Sequence, residues 1–537
     1  MKKNFMILTV LAAALVMLPC CKKDKNTSAD ENGAKYIIKA EMDCPNYNGG
    51  EKTHLGPTTD GQTPILWSAN DHLALFDGEN RYDFALENGT NTTSANFSCS
   101  QTPSETEAYC AFYPYDPNAE ESLKPTAVRN GNDYTVTFNL PSEQTYLAPV
   151  DGNPTMGEGL LPMIAYATQD DRFTFRTMMA ILKVDMKGTG TVRKLVLKDG
   201  NESAKLWGKA SVTMTAANDT PELLSEGIIS GGNNTLTLNC PNGVTLNETT
   251  ATSFYFVVPV ETLGENGKGF SIDVYNAKFK CYTIDKHTVS GNIMQRAIIS
   301  TLAVDGVKVL REGALPGLFT VNEDGKKVCF SQGNLYYDGS KFCLENYQYS
   351  IASYWKESHV SNFYWSKTAS AVYAEYYNNV GETSDVLFTN ATETTPNASF
   401  TVNGQTGMWR TLSQAEWKYL FENHSYKYIS VNTKYGIVIA PDGFSGEISD
   451  ADVADWAAAE DAGFVFLPNT GFRENSYIRE TDKSCIYWTS TPHETNSGNA
   501  YRMFFQWHSD QSYLDVKLNL DGLREWAVGI RLVTDCD

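Results

Sequence analysis

From about Lys35 to Ala303 the chain is patterned with a period of two. In YTVTFNL, Tyr134, Val136, Phe138 and Leu140 alternate with Thr135, Thr137 and Asn139; in LKVDMK, Leu182, Val184 and Met186 alternate with Lys183, Asp185 and Lys187. TLTLNC (235–240) repeats the pattern. Successive side chains take opposite sides only on an extended strand, so these are strands with one buried face. SFYFVVPV (253–260) is apolar until Pro259, the mark of a strand buried on both faces. Turn dipeptides Asn130-Gly131, Asp199-Gly200 and Asn242-Gly243 punctuate the run, and no long helical period competes. About 270 residues exceed one sandwich of roughly 100. Two all-β sandwiches are expected, over 36–169 and 170–304, meeting near Gln169 to Arg172.

The first residues have a different character. Lys2 and Lys3 precede an apolar run from Phe5 to Leu18, about 21 Å as a helix and too short to span a bilayer. A basic start, a short apolar stretch and a small-residue cleavage zone describe an export signal over 1–20. Residues 21–35, starting CKKDKNTSADENG, are polar and are expected to form a flexible tether.

The whole chain carries 43 basic and 64 acidic residues, a net charge of −21. Loss of residues 1–20 removes two lysines and deepens this to −23. Such a surface repels phosphate backbones, so nucleic acid is not an expected partner. Beyond Cys20 and Cys21 nine cysteines are scattered without a C-x-x-C, which is neither a zinc pattern nor a dense disulfide framework. They are expected to be small buried residues with one or two bridges at most. The seven histidines include no H-E-x-x-H, and only His493 and His508 stand out as a pair. Cys485 has no partner nearby in sequence and is expected to be structural, since a reactive thiol needs a lowered pKa. No cofactor, metal or enzymatic activity is expected.

After a junction at 305–318, with Pro316 and Gly317, the composition changes. Eight of the ten tryptophans fall within 306–537. WRTLSQAEWKYLFENH carries Ser413 as N-cap with Glu416 three residues on, and Leu412 and Trp417 at staple spacing. A second helix is expected from Asp450 to Asp461, capped by Ser449 and stopped by Gly463. Strands are expected at 464–468, 486–492, 499–507 and 527–533. Residues 319–537 are thus an α+β domain.

Two resemblances follow from these stretches. The cysteines behind the apolar run resemble a bacterial lipobox, with Leu18 three places before Cys21; this implies lipidation of Cys21, with Cys20 the alternative. Together with ILWSANDHLALFDG (65–78), FRTMMAILKVDMKG (175–188), SFYFVVPV and GNIMQRAIISTLAV (291–304), the first part resembles the fimbrillin-like lipoproteins of Bacteroidales. That likeness implies two transthyretin-like β-sandwiches on a lipid-anchored protein of the outer membrane that forms or decorates fimbriae beside other subunits. Major subunits of that family lose an N-terminal strand to an arginine-specific protease, but here no arginine lies between Cys21 and Asn80. An anchor or accessory subunit fits better. FSQGNLYY (330–337), WRTLSQAEWKYLF (409–421), GFVFLPNTGFR (463–473), YWTSTP (487–492) and VGIRLV (528–533) resemble the C-type-lectin-like domains of Bacteroidetes surface proteins. The sugar-binding Glu-Pro-Asn, Gln-Pro-Asp and Trp-Asn-Asp triplets of calcium lectins are absent after residue 306.

In the lectin-like fold the ligand face is built from the loops around the last strands. These carry Arg473, Asn475, Tyr477, His493, Trp507, His508, Tyr513, Arg524 and Trp526. Aromatic rings with Arg and Asn suit sugar stacking and protein contact alike; Trp507 and Trp526 suit the core equally. Trp409, Trp417 and Trp488 are expected in the core. The expected function is a surface adhesion protein, a fimbrial tip or accessory subunit whose head binds a host, bacterial or glycan ligand. The alternative is a glycan-binding lipoprotein of a polysaccharide-uptake system.

Overall fold

The computed structural model describes residues 27–28, 35–42, 54–55, 65–150, 153–155, 160–169, 171–216, 221–260, 262–287, 292–352, 355–366, 373, 400–481, 483–508 and 513–536. The export signal and the lipidation candidates Cys20 and Cys21 lie outside these. Within the expected tether, Thr27–Ser28 pair with Tyr36 and Lys35. The chain is multidomain and nearly all β.

In the first unit seven strands close on themselves. Lys35–Met42, Arg172–Thr177, Met163–Ala167, Tyr109–Tyr113, His72–Phe76, Arg81–Asn88 and Ser94–Cys99 follow one another, and the last pairs back to the first. Lys35–Met42 is thus held on both sides, antiparallel to Ser94–Cys99 and parallel to Arg172–Thr177. Among the described residues, closure pairs each of these strands on both sides. A second sheet, Ile228–Ser230, Gly208–Met214, Asp133–Leu140 and Thr126–Asn130, packs against it. Its alternating Tyr134, Val136, Phe138 and Leu140 all enter the core. At the centre Trp67 receives Phe97, Tyr113 and Phe175 edge-on, with centroids 4.9, 5.5 and 5.6 Å away.

The unit reaches past residue 169. Arg172–Thr177 completes its first sheet, and Gly208–Met214 pairs with Asp133–Leu140 along its length. A division between 169 and 170 therefore runs through a sheet, because alternation marks a strand without naming its partner.

The second unit stacks a five-stranded sheet (Glu143–Thr145, Thr235–Thr245, Thr191–Asp199, Phe270–Tyr275, Lys280–Lys286) on a three-stranded one (Thr252–Val258, Ala180–Thr189, Ile299–Lys308). The apolar strand Thr252–Val258 serves two interiors. Phe254, Phe256 and Val258 belong to the core of the second unit, Tyr255 and Val257 to that of the first. Gln144 bonds both backbone groups of Val257, donating from Nε2 to its carbonyl at 2.8 Å and accepting from its N–H at 3.0 Å.

The second unit also enters the third. The hairpin tip after Phe270–Tyr275 places Phe279 among Phe319, Trp417 and Leu420 in a core of the third unit. Asn276 fixes that tip: its Oδ1 accepts from the N–H groups of Lys278 and Phe279, and its Nδ2 donates to the carbonyl of Leu310. The 305–318 junction is packed rather than slack, with Val307, Val309, Ala314 and Leu315 all buried.

In the third unit the first and last strands meet. Lys327–Phe330 pairs with Leu532–Asp535, and Cys329 is bonded to Cys536 across 207 residues. Of the remaining cysteines, Cys99, Cys110, Cys240, Cys343 and Cys485 are buried free thiols and Cys281 is half-buried. The helix Gln414–Asn423 has the expected box: Glu416 N–H donates to Ser413 Oγ at 3.2 Å, and Ser413 N–H to Glu416 Oε2 at 2.8 Å. Glu416 also receives both terminal nitrogens of the buried Arg410 at 2.8 Å. Trp409, Trp417 and Trp488 are buried as expected.

Two expectations change. Ser449 caps no helix: it exchanges hydrogen bonds with Asp452 just before a 3-10 turn, Ala451–Val453, and the helix proper is Trp456–Asp461, where Asp455 accepts from Ala457 and Ala458 N–H. Aspartate competes for such backbone donors and starts a helix better than it continues one. The final strand is split into Ala527–Gly529 and Leu532–Asp535. Between them Arg531 turns inward to donate to Gln348 Oε1 at 2.7 Å.

Candidate functional site

The strand Asn499–His508, paired with Tyr513–Leu523, is the spine along which the candidate residues are arranged. It separates them. Trp507, His508 and Tyr513 lie at one end, whereas His493 and Arg524 lie around the other, about 25 Å away at 3.3 Å per residue, with Trp526 between them against Arg502. The nine residues therefore form two groups and not one face.

At the first end an aromatic strip emerges from the core. Tyr426–Val431 and Lys434–Ile439 form a hairpin whose turn residues Asn432 and Thr433 both have positive φ, 45° and 66°, as a tight twisted turn requires. Ile437 and Ile439 on this hairpin are in the core, and the same face continues outward through Tyr428 and Tyr435. Tyr428 is stacked on Tyr435 (centroids 5.9 Å, planes 9° apart) and on Trp507 (5.5 Å, 11°). Asn469 Nδ2 donates to the Tyr428 hydroxyl at 3.0 Å and holds the middle ring. The outer members are open, Tyr435 at 52% and Trp507 at 38% exposure. Beside them His508 is stacked on Tyr513 at 4.8 Å. Tyr428 and Tyr435 were not among the sequence candidates. The signal was present in the alternating YKYISV of 426–431.

At the other end, arginines and rings interleave. Arg473 lies over Tyr364 at 4.7 Å and donates from Nη1 to the Asn475 carbonyl at 3.3 Å, bracing the hairpin whose exposed members include Asn475 and Tyr477. Arg524 lies over Trp365 at 4.2 Å and donates from Nε to the Asn499 carbonyl at 3.0 Å. Both arginines, expected on the ligand face, are enclosed and hold loops in place. Trp526 is half-buried between Phe472, 5.1 Å away, and the guanidinium of Arg502, 4.7 Å away. His493 accepts from Thr495 and Asn496 N–H through Nδ1, stacks on Tyr501, and has Nε2 3.8 Å from Asp521. His493 and His508 thus flank opposite ends of one strand and form no pair.

No family model and no curated protein matches the chain. The solved structures to which it is similar include adhesion and fimbrial proteins of Bacteroides and Parabacteroides. One is a candidate cell adhesion protein from Bacteroides ovatus, 13% identical, with a TM-score of 0.29 over 50% of this chain and 91% of that one. A fimbrial protein from the same species is 12% identical, with a TM-score of 0.23 over 93% of this chain and 99% of its own. A fimbrial assembly protein from Parabacteroides distasonis is 10% identical, with a TM-score of 0.21 over 55% and 96%.

Cys485 is enclosed, burial pushes its thiol well above the usual range, and its Sγ lies 3.5 Å from the Leu467 carbonyl. A thiol so placed is not a nucleophile. Among the described residues no group of three His, Cys, Asp or Glu side chains is arranged to hold a metal ion.

Proposed function

We propose that this is a cell-surface adhesion protein, anchored to the outer membrane through a lipid on Cys21 (or Cys20), whose C-terminal head holds its ligand by contact and without turnover. The observation that carries the reading is the exposed stack of Tyr435, Tyr428 and Trp507. Large rings held by a rigid sheet offer contact area with little entropy left to lose, which is what binding hot spots use. The two β-sandwiches, of the transthyretin-like kind, act as a stem and the α+β unit as a C-type-lectin-like head. Phe279 and the packed junction support a stiff connection between them.

Within fimbriae the role is that of a tip or accessory subunit. Lys35–Met42 is paired on both sides, and no arginine precedes Arg81 after the lipobox, which favours a subunit that keeps its own first strand. Mass spectrometry of the mature N-terminus tests the anchor, with a diacylated or triacylated cysteine expected. Adherence of cells carrying Trp507→Ala tests the head: adherence equal to wild type would remove the strip from the reading. The same rings also favour the second reading, glycan capture for polysaccharide uptake. Strong retention of residues 306–537 by a dietary polysaccharide, with unchanged adherence, would decide for it.

A further inference from the structure

Between the second and third units lies a cavity of about 620 Å³. The junction residues 308–312 line it without a break, with Gly190 and Cys281 contributed by the second unit and Gln405 and Met408 by the third. Hydrogen bonds fix these walls. Val309 N–H donates to the Thr189 carbonyl at 2.9 Å, Asn276 Nδ2 to the Leu310 carbonyl at 3.2 Å and Gln405 Nε2 to the Glu312 carbonyl at 3.0 Å. Gly190, at a φ of 88°, lets its turn close on the junction, since a Cβ there would meet the Val309 carbonyl oxygen at 2.0 Å. A preformed cavity of this size between domains is the usual setting of a small-molecule site.

Leu310, Leu318 and Met408 give the lining an apolar side, and Leu318 and Met408 are 37% and 42% exposed, so solvent reaches the cavity beside them. Both acids of the lining are already held. Glu312 Oε2 lies 2.8 Å from Arg193 Nη2; Asp535 accepts from Arg410 Nη2 at 3.1 Å and lies 3.3 Å from Lys326 Nζ. Lys280 faces Asp273 at 3.7 Å. The half-buried Arg311 is different: among the described residues its guanidinium has no hydrogen bond and no ion pair. Burial lowers its pKa, and Asp535 opposes the fall by attraction at a distance, without a bond. A weakly hydrated guanidinium left over in a solvent-reached, partly apolar cavity suits a ligand with an acidic group on an apolar body, because its fork of donors matches two oxygens of one anion.

We propose that this cavity binds a small amphipathic anion, its acidic group paired with Arg311 and its apolar body laid against Leu310, Leu318 and Met408. The site uses none of the residues of the aromatic strip and does not rest on the adhesive reading.

Fluorescence titration of the full chain with anilinonaphthalene sulfonate, and with its neutral counterpart phenylnaphthylamine, tests this. With a net charge of −21 for the whole sequence, bulk attraction to an anion is not expected, so saturable binding of the sulfonate dye reports a local site. One such dye per chain is expected to bind, roughly tenfold more weakly in Arg311→Gln, the scale of a lost hydrogen bond to a charged group, with the neutral dye unaffected by that change. Bound sulfonate dye should also slow alkylation of Cys281 by iodoacetamide, followed by peptide mass spectrometry, since this half-buried thiol lines the cavity. Met408→Glu places a like charge at an exposed position of the lining; it should weaken binding of the sulfonate dye too, and decides the matter if Arg311→Gln fails to fold by circular dichroism. No saturable binding to wild type, equal affinity in a folded Arg311→Gln, or alkylation of Cys281 unmoved by bound dye overturns the proposal.

Discussion

Lys278 Nζ lies 2.7 Å from Glu460 Oε2, and the pair joins the second unit to the third. Glu460 is held from its own side as well, by Gln348 Nε2 at 3.1 Å. Beside this contact Phe279 is driven into the neighbouring core, so a polar clamp and an apolar plug act at one hairpin tip. Phe279→Ala should cost about 3–5 kcal/mol, the range for emptying a buried phenylalanine site. Calorimetry should then show the third unit melting apart from the other two; a single transition unmoved from wild type would mean that the plug does not couple them.

Arg410 and Glu416 form a buried two-pronged pair, with Asp535 a further 3.1 Å contact of Arg410. Glu416 also caps the helix Gln414–Asn423. Removing Glu416 leaves the buried Arg410 with Asp535 as its one remaining carboxylate partner and strips the helix of its cap, so Glu416→Ala should destabilise by up to about 3–5 kcal/mol in urea unfolding. Replacing both residues by apolar ones of similar volume should cost less than Glu416→Ala does.

Cys329 and Cys536 close a span of 207 residues between adjacent terminal strands. Changing both to serine should lower stability by about 2–5 kcal/mol. Wild type in reductant should move toward the melting temperature of the double variant, and a double variant as stable as oxidised wild type would contradict this.

Trp507 and Tyr435 are the open rings of the strip. Trp507→Ala and Tyr435→Ala should each weaken adherence about tenfold, the scale of an interface hot spot. Thermal stability should change little, since each loses only a stacking contact of about 0.5–1.5 kcal/mol with Tyr428.

His359 Nε2 lies 2.7 Å from Glu345 Oε1, and its ring is stacked on Tyr336 at 4.5 Å. The bond to Glu345 raises the pKa of His359 while burial opposes the rise. A group whose pKa is higher folded than unfolded contributes fully below the unfolded value, about 6.5, and loses that contribution as pH climbs through the folded one. The stability difference between wild type and His359→Gln should therefore shrink as pH rises from 6 to 8. A difference independent of pH would show that the pair does not titrate.

What was legible in the sequence was local. YTVTFNL announced its strand because one-sided burial imposes a period of two, and the Ser413–Glu416 box announced its helix because both partners lie within one turn. What was not legible were partners distant in sequence. Arg172–Thr177 beside Lys35–Met42 and Phe279 among third-unit residues depend on contacts that no local pattern encodes. The site divides likewise. Trp507, which suited core and ligand face equally, and Tyr513 are among the open aromatics, each at a strand end. Arg473 and Arg524 were expected outside because the lectin-like resemblance puts their loops on the ligand face, yet Tyr364 and Trp365 receive their guanidinium planes and draw them in. Tyr428 shares a hairpin with core isoleucines, which hid its stacking role.

Thr252–Val258 turns alternate side chains into two different interiors. Under tension along the chain, such a strand behaves as a rivet through two plates: pulling it out withdraws five consecutive side chains, Phe254 to Val258, from the two interiors together. A load that reaches this strand is therefore shared by both sandwiches at once rather than passed from one to the next.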